Sequence, residues 1–304
     1  MPLSALCFWA DSQAMLATVA TTKPIEFMHP SWQAKLRLAF NADSGTTRLL
    51  DRWHSGPLRV QKALYPEGSA VCHAIIVHPP GGVVGGDELD IDIKVGADAH
   101  AVITTPGAAK WYKANGKCSK QSVQIQLDAN ASIEWLPQEA IFFDAANVQL
   151  SQAITLEQGA RYLACDILCF GRNASGESIN SGRIAQRNTI HRDGKLIWFE
   201  QGALAGGTAQ MTSALGLNGH SVCATLIAVG AAIPNPVIAA LRHDANLLLE
   251  GGANFGVTQF KGVIVVRYLG DASEMARTLM LLAWRHLRPA VMAREAIELR
   301  IWNT

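Results

Sequence analysis

From Trp32 to about Ile233 apolar and polar residues alternate with a period of two. Leu89, Ile91, Ile93 and Val95 alternate with Glu88, Asp90, Asp92 and Lys94, and Val123, Ile125 and Leu127 alternate with Gln124 and Gln126. Successive side chains of a strand point to opposite faces, so each run predicts a strand with one face in a core and the other in water. Asp193-Gly194 lies between two apolar arms, Thr189 to Arg192 and Lys195 to Phe199, which predicts a tight hairpin. Breaks at Gly96, Gly116, Gly159, Gly176 and Gly194 come at irregular intervals, and no sequence repeat is visible in the range of roughly 20–50 residues that marks a propeller. The pattern therefore predicts a mainly β fold, either a single large irregular β-sandwich or a β-solenoid-like domain.

The period changes only late in the chain. Asn235-Pro236 opens a helix near 236–250, with Val237, Leu241, Ala245 and Leu248 on one face and Glu250-Gly251-Gly252 as its stop. A second helix near 272–287 is capped by Asp271 or Ser273, carries Met275, Leu279 and Leu282 on a stripe, and ends at Pro289. Met280 and Trp284 lie partly off that stripe, which predicts spare apolar surface for a partner. Val257 to Tyr268 reads as two more strands around Lys261-Gly262. One β-rich domain over 32–304, with these two helices packed on it, is the expected organisation; residues 1–31 form an N-terminal extension without an assigned role.

Composition removes several function classes. The 304 residues are 49% hydrophobic and 17% charged, too apolar for a disordered chain. Net charge is +1, which argues against a nucleic-acid or polybasic membrane surface. The apolar start lacks a basic region and is interrupted by Asp11, so no signal peptide is expected. No apolar run is long enough to cross about 30 Å of hydrocarbon as a helix. Six cysteines without a CxxC pair fit a reducing compartment, and a cytoplasmic location is expected. Cys165 and Cys169 stand four apart in a stretch that reads as strand, hence as buried small hydrophobes.

The candidate chemistry is sparse. Gly81, Gly82, Gly85 and Gly86 precede Asp87, but no Lys-Ser/Thr and no helix follows, so this is a turn or presenting loop rather than a phosphate cradle. Glu88, Asp90 and Asp92 share the polar face of one strand and read as solvated. Thr104 to Lys113 sets small residues beside a basic and aromatic group. Trp135 to Asp144 holds Glu139 and Asp144 in apolar surroundings, where two carboxylates could be the acid and base of a β-rich carbohydrate hydrolase or lyase, or could cap backbone groups. Glu177 offers a third carboxylate in a polar turn. The nine histidines form neither HxxxH nor HExxH, and no GxSxG occurs.

Taken in order, Gly56 to Gln61, Tyr65 to Gly68, His78 to Asp87, Thr104 to Lys113, Leu136 to Asp144, Gly171 to Glu177 and Arg300 to Thr304 resemble the motifs of the urease accessory protein UreD family, also called UreH. The resemblance runs from about Trp32 to the C-terminus. It implies a mainly β chaperone without enzymatic activity that binds the urease apoprotein and recruits UreF, which in turn carries the nickel-loaded GTPase UreG. It further implies delivery of nickel into the urease active site, with no tightly bound cofactor and only a transient nickel ion.

Nickel stands high in the divalent affinity order, so a conduit needs weak, separated oxygen ligands and not a His/Cys trap. Asp87, Asp144 and Glu177 have that character and are the expected nickel-transit residues. Two departures stand out: residues before Trp32 have no counterpart in the pattern, and Glu298-Leu299 replaces the prolines usual before Arg-Ile-Trp.

Overall fold

A computed structural model describes residues 31–303; the expectations for residues 1–30, including the extension, Cys7 and the missing signal peptide, lie outside the described residues. The chain begins with a hairpin of β1 (Gln33–Asp43) and β2 (Thr46–Ser55), followed by short β3 (Arg59–Val60). It then alternates between two sheets through β4 (Val71–Val77), β5 (Glu88–Val95), β6 (His100–Thr104), β7 (Ala109–Trp111), β8 (Ser119–Leu127), β9 (Ser132–Leu136), β10 (Ala140–Phe142), β11 (Asn147–Leu156), β12 (Arg161–Phe170) and β13 (Arg183–Arg192). In one sheet β1, β5, β8, β11 and β13 pair parallel; in the other β4, β6, β9 and β12 do. Each turn of the coil adds one strand to each sheet.

Glu88 sits beside Lys120, Lys120 beside Gln149, and Gln149 beside Ala185, so one turn takes roughly 30 residues, within the solenoid range. The mainly β, solenoid-like expectation is met. The repeat is present in space although none is visible in sequence, because only the period-2 phase and the edge turns recur, not residue identities.

Antiparallel strands close the later end. β14 (Lys195–Ala205) folds back on β13 through Asp193 and Gly194, both at positive φ, as the hairpin signal predicts. After α1 (Ala209–Thr212) come β15 (Val222–Val229), α2 (Asn235–Leu248), β16 (Asn254–Phe260), β17 (Val263–Gly270) and α3 (Ser273–Met292). The sheets order as β14-β13-β11-β8-β5-β1-β2 and β16-β17-β15-β12-β9-β6-β4-β3, with β7 and β10 paired beside β12.

Burial follows this layering. Strand β5 buries Leu89, Ile91, Ile93 and Val95 and exposes Asp90, Asp92 and Lys94, because its sheet meets the core on one face only. β6 and β9 are buried throughout, since the second sheet lies between the inter-sheet core and the helical layer. Cys165 and Cys169 face the helical side as buried thiols; burial pushes the latter's pKa up to about 12.

The helices differ in detail from the sequence pattern. α2 buries Ile238, Leu241 and Ala245, while Leu248 is exposed, so its inner face is rotated from the expected one. α3 runs through Pro289 to Met292, because the lost backbone bond is outweighed by burial of Leu287, Arg288, Val291 and Met292. Met280 and Trp284 are buried, so the spare apolar stripe expected for a partner does not exist. α3 crosses β12, β15 and β17 and touches α2, and this broad contact consumes more than one stripe.

Candidate functional site

Extending the strand phase places polar side chains inside the coil. Counting back from Val123, Ile154 and Ile190, the inward positions are Gln121, Gln152, Asn188 and Gln186. Gln121, Gln152 and Gln186 line a cavity of about 270 Å³ facing the second sheet, together with His78, Trp111 and Asp166, while Asn188 borders a small separate pocket. Asp166 comes from β12, where it is the single charged residue between Tyr162 and Phe170. Gln152 Nε2 donates to Asp166 Oδ2 at 2.9 Å, and Gln186 Nε2 lies 3.4 Å from the same oxygen. Burial pushes the Asp166 pKa up to about 6, against the lowering effect of the Gln152 hydrogen bond.

Two further cavity-lining groups have no hydrogen-bond partner among the described residues: His78 Nε2 and Trp111 Nε1. Burial lowers the His78 pKa, with Asp87 pulling the other way. A mostly apolar chamber with a few buried polar groups is suited to holding water or a small polar guest. Phase-breaking glutamines and a lone acid in an apolar strand are the sequence signals for it, each ordinary by itself.

The expected transit residues do not line this cavity. Asp87, 3% exposed, accepts hydrogen bonds from the backbone N–H of Trp32 (2.8 Å) and Val84 (3.1 Å). Asp144 Oδ1 accepts from the N–H groups of Ala145 (2.9 Å), Asn180 (2.8 Å) and Ser181 (2.9 Å). Burial raises the Asp144 pKa, but these backbone donors outweigh it and hold the carboxyl below its usual range. Glu177 accepts from Asp144 N–H at 3.1 Å and is ion-paired with Arg172, whose guanidinium lies over the Phe143 ring.

The structure thus brings Asp144 and Glu177 together and leaves Asp87 on a neighbouring turn. These turns stack along one edge of the coil. Ala114 N–H donates to Ala145 O, and Ala145 N–H donates to Ser181 O. A Cβ at Gly85 would stand 1.9 Å from Ala114 O, and one at Gly182 would stand 2.2 Å from Ala146 O, so both positions need glycine for close approach.

Asp144→Ala is expected to cost about 0.5–2 kcal/mol, the usual loss for a carboxylate that caps backbone N–H groups. A urea unfolding series reads it, and an unchanged midpoint would remove the capping role.

Glu139 and Asp144 are committed to different partners. Glu139 is ion-paired with Arg277 of α3, while Asp144 Oδ1 is committed to backbone donors, so the acid and base of a hydrolase are not assembled.

The most highly charged interior cluster has no local sequence signature, because its members lie far apart along the chain. Glu134, fully buried on β9, accepts from Arg288 Nε (3.0 Å) and Nη2 (2.9 Å), Trp284 Nε1 (2.6 Å) and His100 Nε2 (2.9 Å). Arg288 also reaches Glu67 (2.7 Å), which pairs with His73 at 2.7 Å. Burial pushes both carboxyls up, but the His and Arg partners hold Glu134 and Glu67 below their ordinary values. This network joins the loop before β4, strands β4, β6 and β9, and α3. The C-terminal tail is anchored by buried Leu299 and by Trp302, whose Nε1 donates to Thr104 Oγ1 at 2.8 Å.

Among the described residues no three His, Cys, Asp or Glu side chains converge as a metal site, and no helix is long and apolar enough to cross a membrane. Comparison with known proteins gives a consistent answer. The family described as UreD urease accessory protein matches residues 33–303. A urease accessory protein UreD of Janthinobacterium sp. (strain Marseille) is 57% identical over 272 residues, covering 90% of this chain and 92% of that protein. The namesake from Nitrosospira multiformis is 49% identical over 90% of this chain and 98% of its own length. That from Methylobacillus flagellatus is 44% identical over 93% and 98%. Coil, turn motifs and tail all fall inside the matched span, and the chain belongs to the UreD family of urease accessory proteins, which are not themselves enzymes.

Proposed function

We propose that this protein acts in the cytoplasm as a metallochaperone scaffold: it binds the urease apoprotein, recruits UreF and through it the GTPase UreG, and assists passage of nickel into the urease active site. The observation that carries the reading is the inter-sheet cavity, in which one carboxylate and several amides lie inside a coil that belongs to an accessory family of a metalloenzyme. Its oxygen-rich, thiolate-free polar groups suit a hydrated ion in transit better than a resident one, because strong soft ligands would retain it. Family membership supports urease as the client; UreF and UreG enter as partners of that assembly.

The carboxylates Asp87, Asp144 and Glu177 belong to the same proposal as transit ligands at the edge of the coil. Their competing role is structural, favoured by the backbone N–H groups that each one accepts. Alanine variants separate the two: a transit ligand lowers urease nickel while the complex with urease and UreF still assembles, whereas a cap lowers soluble complex and nickel together.

The deciding experiment is activation of apo-urease by the accessory set with and without this chain, with urease-bound nickel measured in each. Omission is expected to leave urease largely without nickel. Equal nickel content in both would overturn the reading.

A further inference from the structure

Four strands end the two sheets, β14 and β2 in one, β16 and β3 in the other. A sheet edge presents unpaired backbone groups, and folded proteins ordinarily blunt it. β2 is bulged against β1 and carries Arg48, Asp51 and Arg52, β3 is two residues long, and β16 is covered by α2, whose Arg242 donates to Val257 O. β14 lacks such protection. From Trp198 to Ala205 it lies in unbroken register with β13, and the charged residue in that stretch, Glu200, is ion-paired with Arg267. Its inner face meets Phe260 and Arg267 of the second sheet and α1 packs at its end, but no described strand pairs with its free side.

The groups on that side follow from the ladder. Gly206 N–H donates to Gly182 O at 3.1 Å, one step past the Arg183–Ala205 pair. Antiparallel ladders alternate bonded and non-bonded pairs, so Leu204, Gly202 and Glu200 bond to β13, while Phe199, Gln201, Ala203 and Ala205 turn N–H and C=O outward. Ala205 agrees with this, since its N–H donates to Gln210 Oε1 and its C=O accepts from Thr208 Oγ1. Phe199, Gln201 and Ala203 keep outward N–H and C=O groups that no described residue meets.

Gly202 adds an independent sign. It stands mid-strand with φ outside the left-handed region, and a Cβ there would meet nothing within 4 Å, so nothing within this chain calls for glycine. Glycine inside a strand marks the close approach of something else.

We infer that β14 is the interface for a second copy of this chain, the two strands pairing antiparallel about a two-fold axis at Gln201. The outward residues are symmetric about that position. Phe199 falls opposite the partner's Ala203, and Gln201 opposite the partner's Gln201, so every free N–H and C=O of both strands finds a mate. On the inner face Trp198 falls opposite the partner's Leu204 and Glu200 opposite the partner's Gly202, where the missing side chain leaves room for the ion pair with Arg267. No charge faces a like charge. An axis one residue either way would set Glu200 against the partner's Glu200, or Phe199 against the partner's Ala205, whose groups are already bonded. A contact of about five residues per strand is well below the roughly 1,600 Å² of a standard interface, so the dimer is weak and follows concentration. This pairing does not rest on the proposed role in nickel delivery.

The test is sedimentation velocity of the purified full-length chain from about 1 to about 200 μM, which brackets micromolar association. Wild type is expected to pass from monomer to dimer. Gln201→Pro removes the central N–H from both copies and is expected to raise the dissociation constant about tenfold or more. Its thermal midpoint in dilute solution should stay near that of wild type, because this N–H makes no bond to β13. Gln201→Lys leaves the backbone as it is, sets like charges opposite each other, and is expected to weaken the dimer by up to about fivefold, less so in high salt. Oxidation with diamide reads the register, with wild type as the control for the native cysteines. Gln201→Cys is expected to give a covalent dimer, since directly opposed Cα atoms lie about 5.5 Å apart. Ala203→Cys is not, since its two copies would stand roughly 13 Å apart. A dimer indifferent to both Gln201→Pro and Gln201→Lys, or equal cross-linking at 201 and 203, overturns the pairing. So does a chain that stays monomeric throughout, which leaves the edge to a strand of another protein.

Discussion

Replacing Arg288 with methionine is expected to cost about 3–5 kcal/mol, the penalty for stranding buried charges by removing their partner. Arg288 is fully buried, and its guanidinium is shared between Glu134 and Glu67 and packs over the Trp284 ring at 5.1 Å. Without it two carboxylates remain beneath α3 beside His100, His73 and the neutral indole N–H of Trp284. The pH dependence has a definite sign. Both carboxyls have folded pKa values below their ordinary 4.5, so their contribution is full above that value and lost as pH falls through the lowered ones. The gap between wild type and Arg288→Met should therefore be widest above about pH 4.5 and narrow below it. Urea unfolding midpoints across that range measure it. A deficit independent of pH would mean that lost packing, and not stranded charge, is responsible.

Phe142→Ala is expected to cost a further and independent 3–5 kcal/mol or so, as buried Phe truncations do. Phe142 is fully buried on β10, in register with Trp111 of β7 and Phe170 of β12. The rings stack across successive strands, with centroids 6.3 Å and 5.7 Å apart and interplanar angles of 25° and 22°. Removing the middle ring opens a void that rigid neighbouring strands cannot close, so the cost stays near the upper part of the usual range. Phe142→Leu, which retains most of the volume, should lose about 1.5 kcal/mol or less. If both variants lose the same amount, retained volume does not help and the loss belongs to the ring contacts, not to the void.

Much of the fold is written in single segments. Strand phase in β5 and β8, the Asp193-Gly194 hairpin, the turn at Lys261-Gly262 and the start of α2 at Asn235-Pro236 depend on neighbours a few residues away, and each is found where the pattern places it. The ordered turn motifs were equally legible, since close backbone approach at positions such as Gly85 demands glycine whatever surrounds it. What failed were inferences that needed to know what lies opposite. Met280 and Trp284 looked like spare surface until the width of sheet beneath α3 was known. The hydrogen bonds by which Asp87 and Asp144 also hold backbone N–H groups of the edge turns are likewise visible only in three dimensions.

Strand periodicity, the chain-reversing turns, the two substantial helices and the family are thus legible in the chain alone, since they rest on local sterics and on an ordered series of motifs. That the strands wind as a parallel coil emerges from the folded molecule, because register between turns roughly 30 residues apart depends on long-range pairing and leaves no identity repeat. The folded molecule also decides which polar residues are interior. Gln152, Asp166 and Asn188 meet across two sheets, and Glu67, Glu134 and Arg288 meet across a loop, a strand and a helix. Desolvation and charge pairing act through space, so their effects exist only once distant segments have been brought into contact.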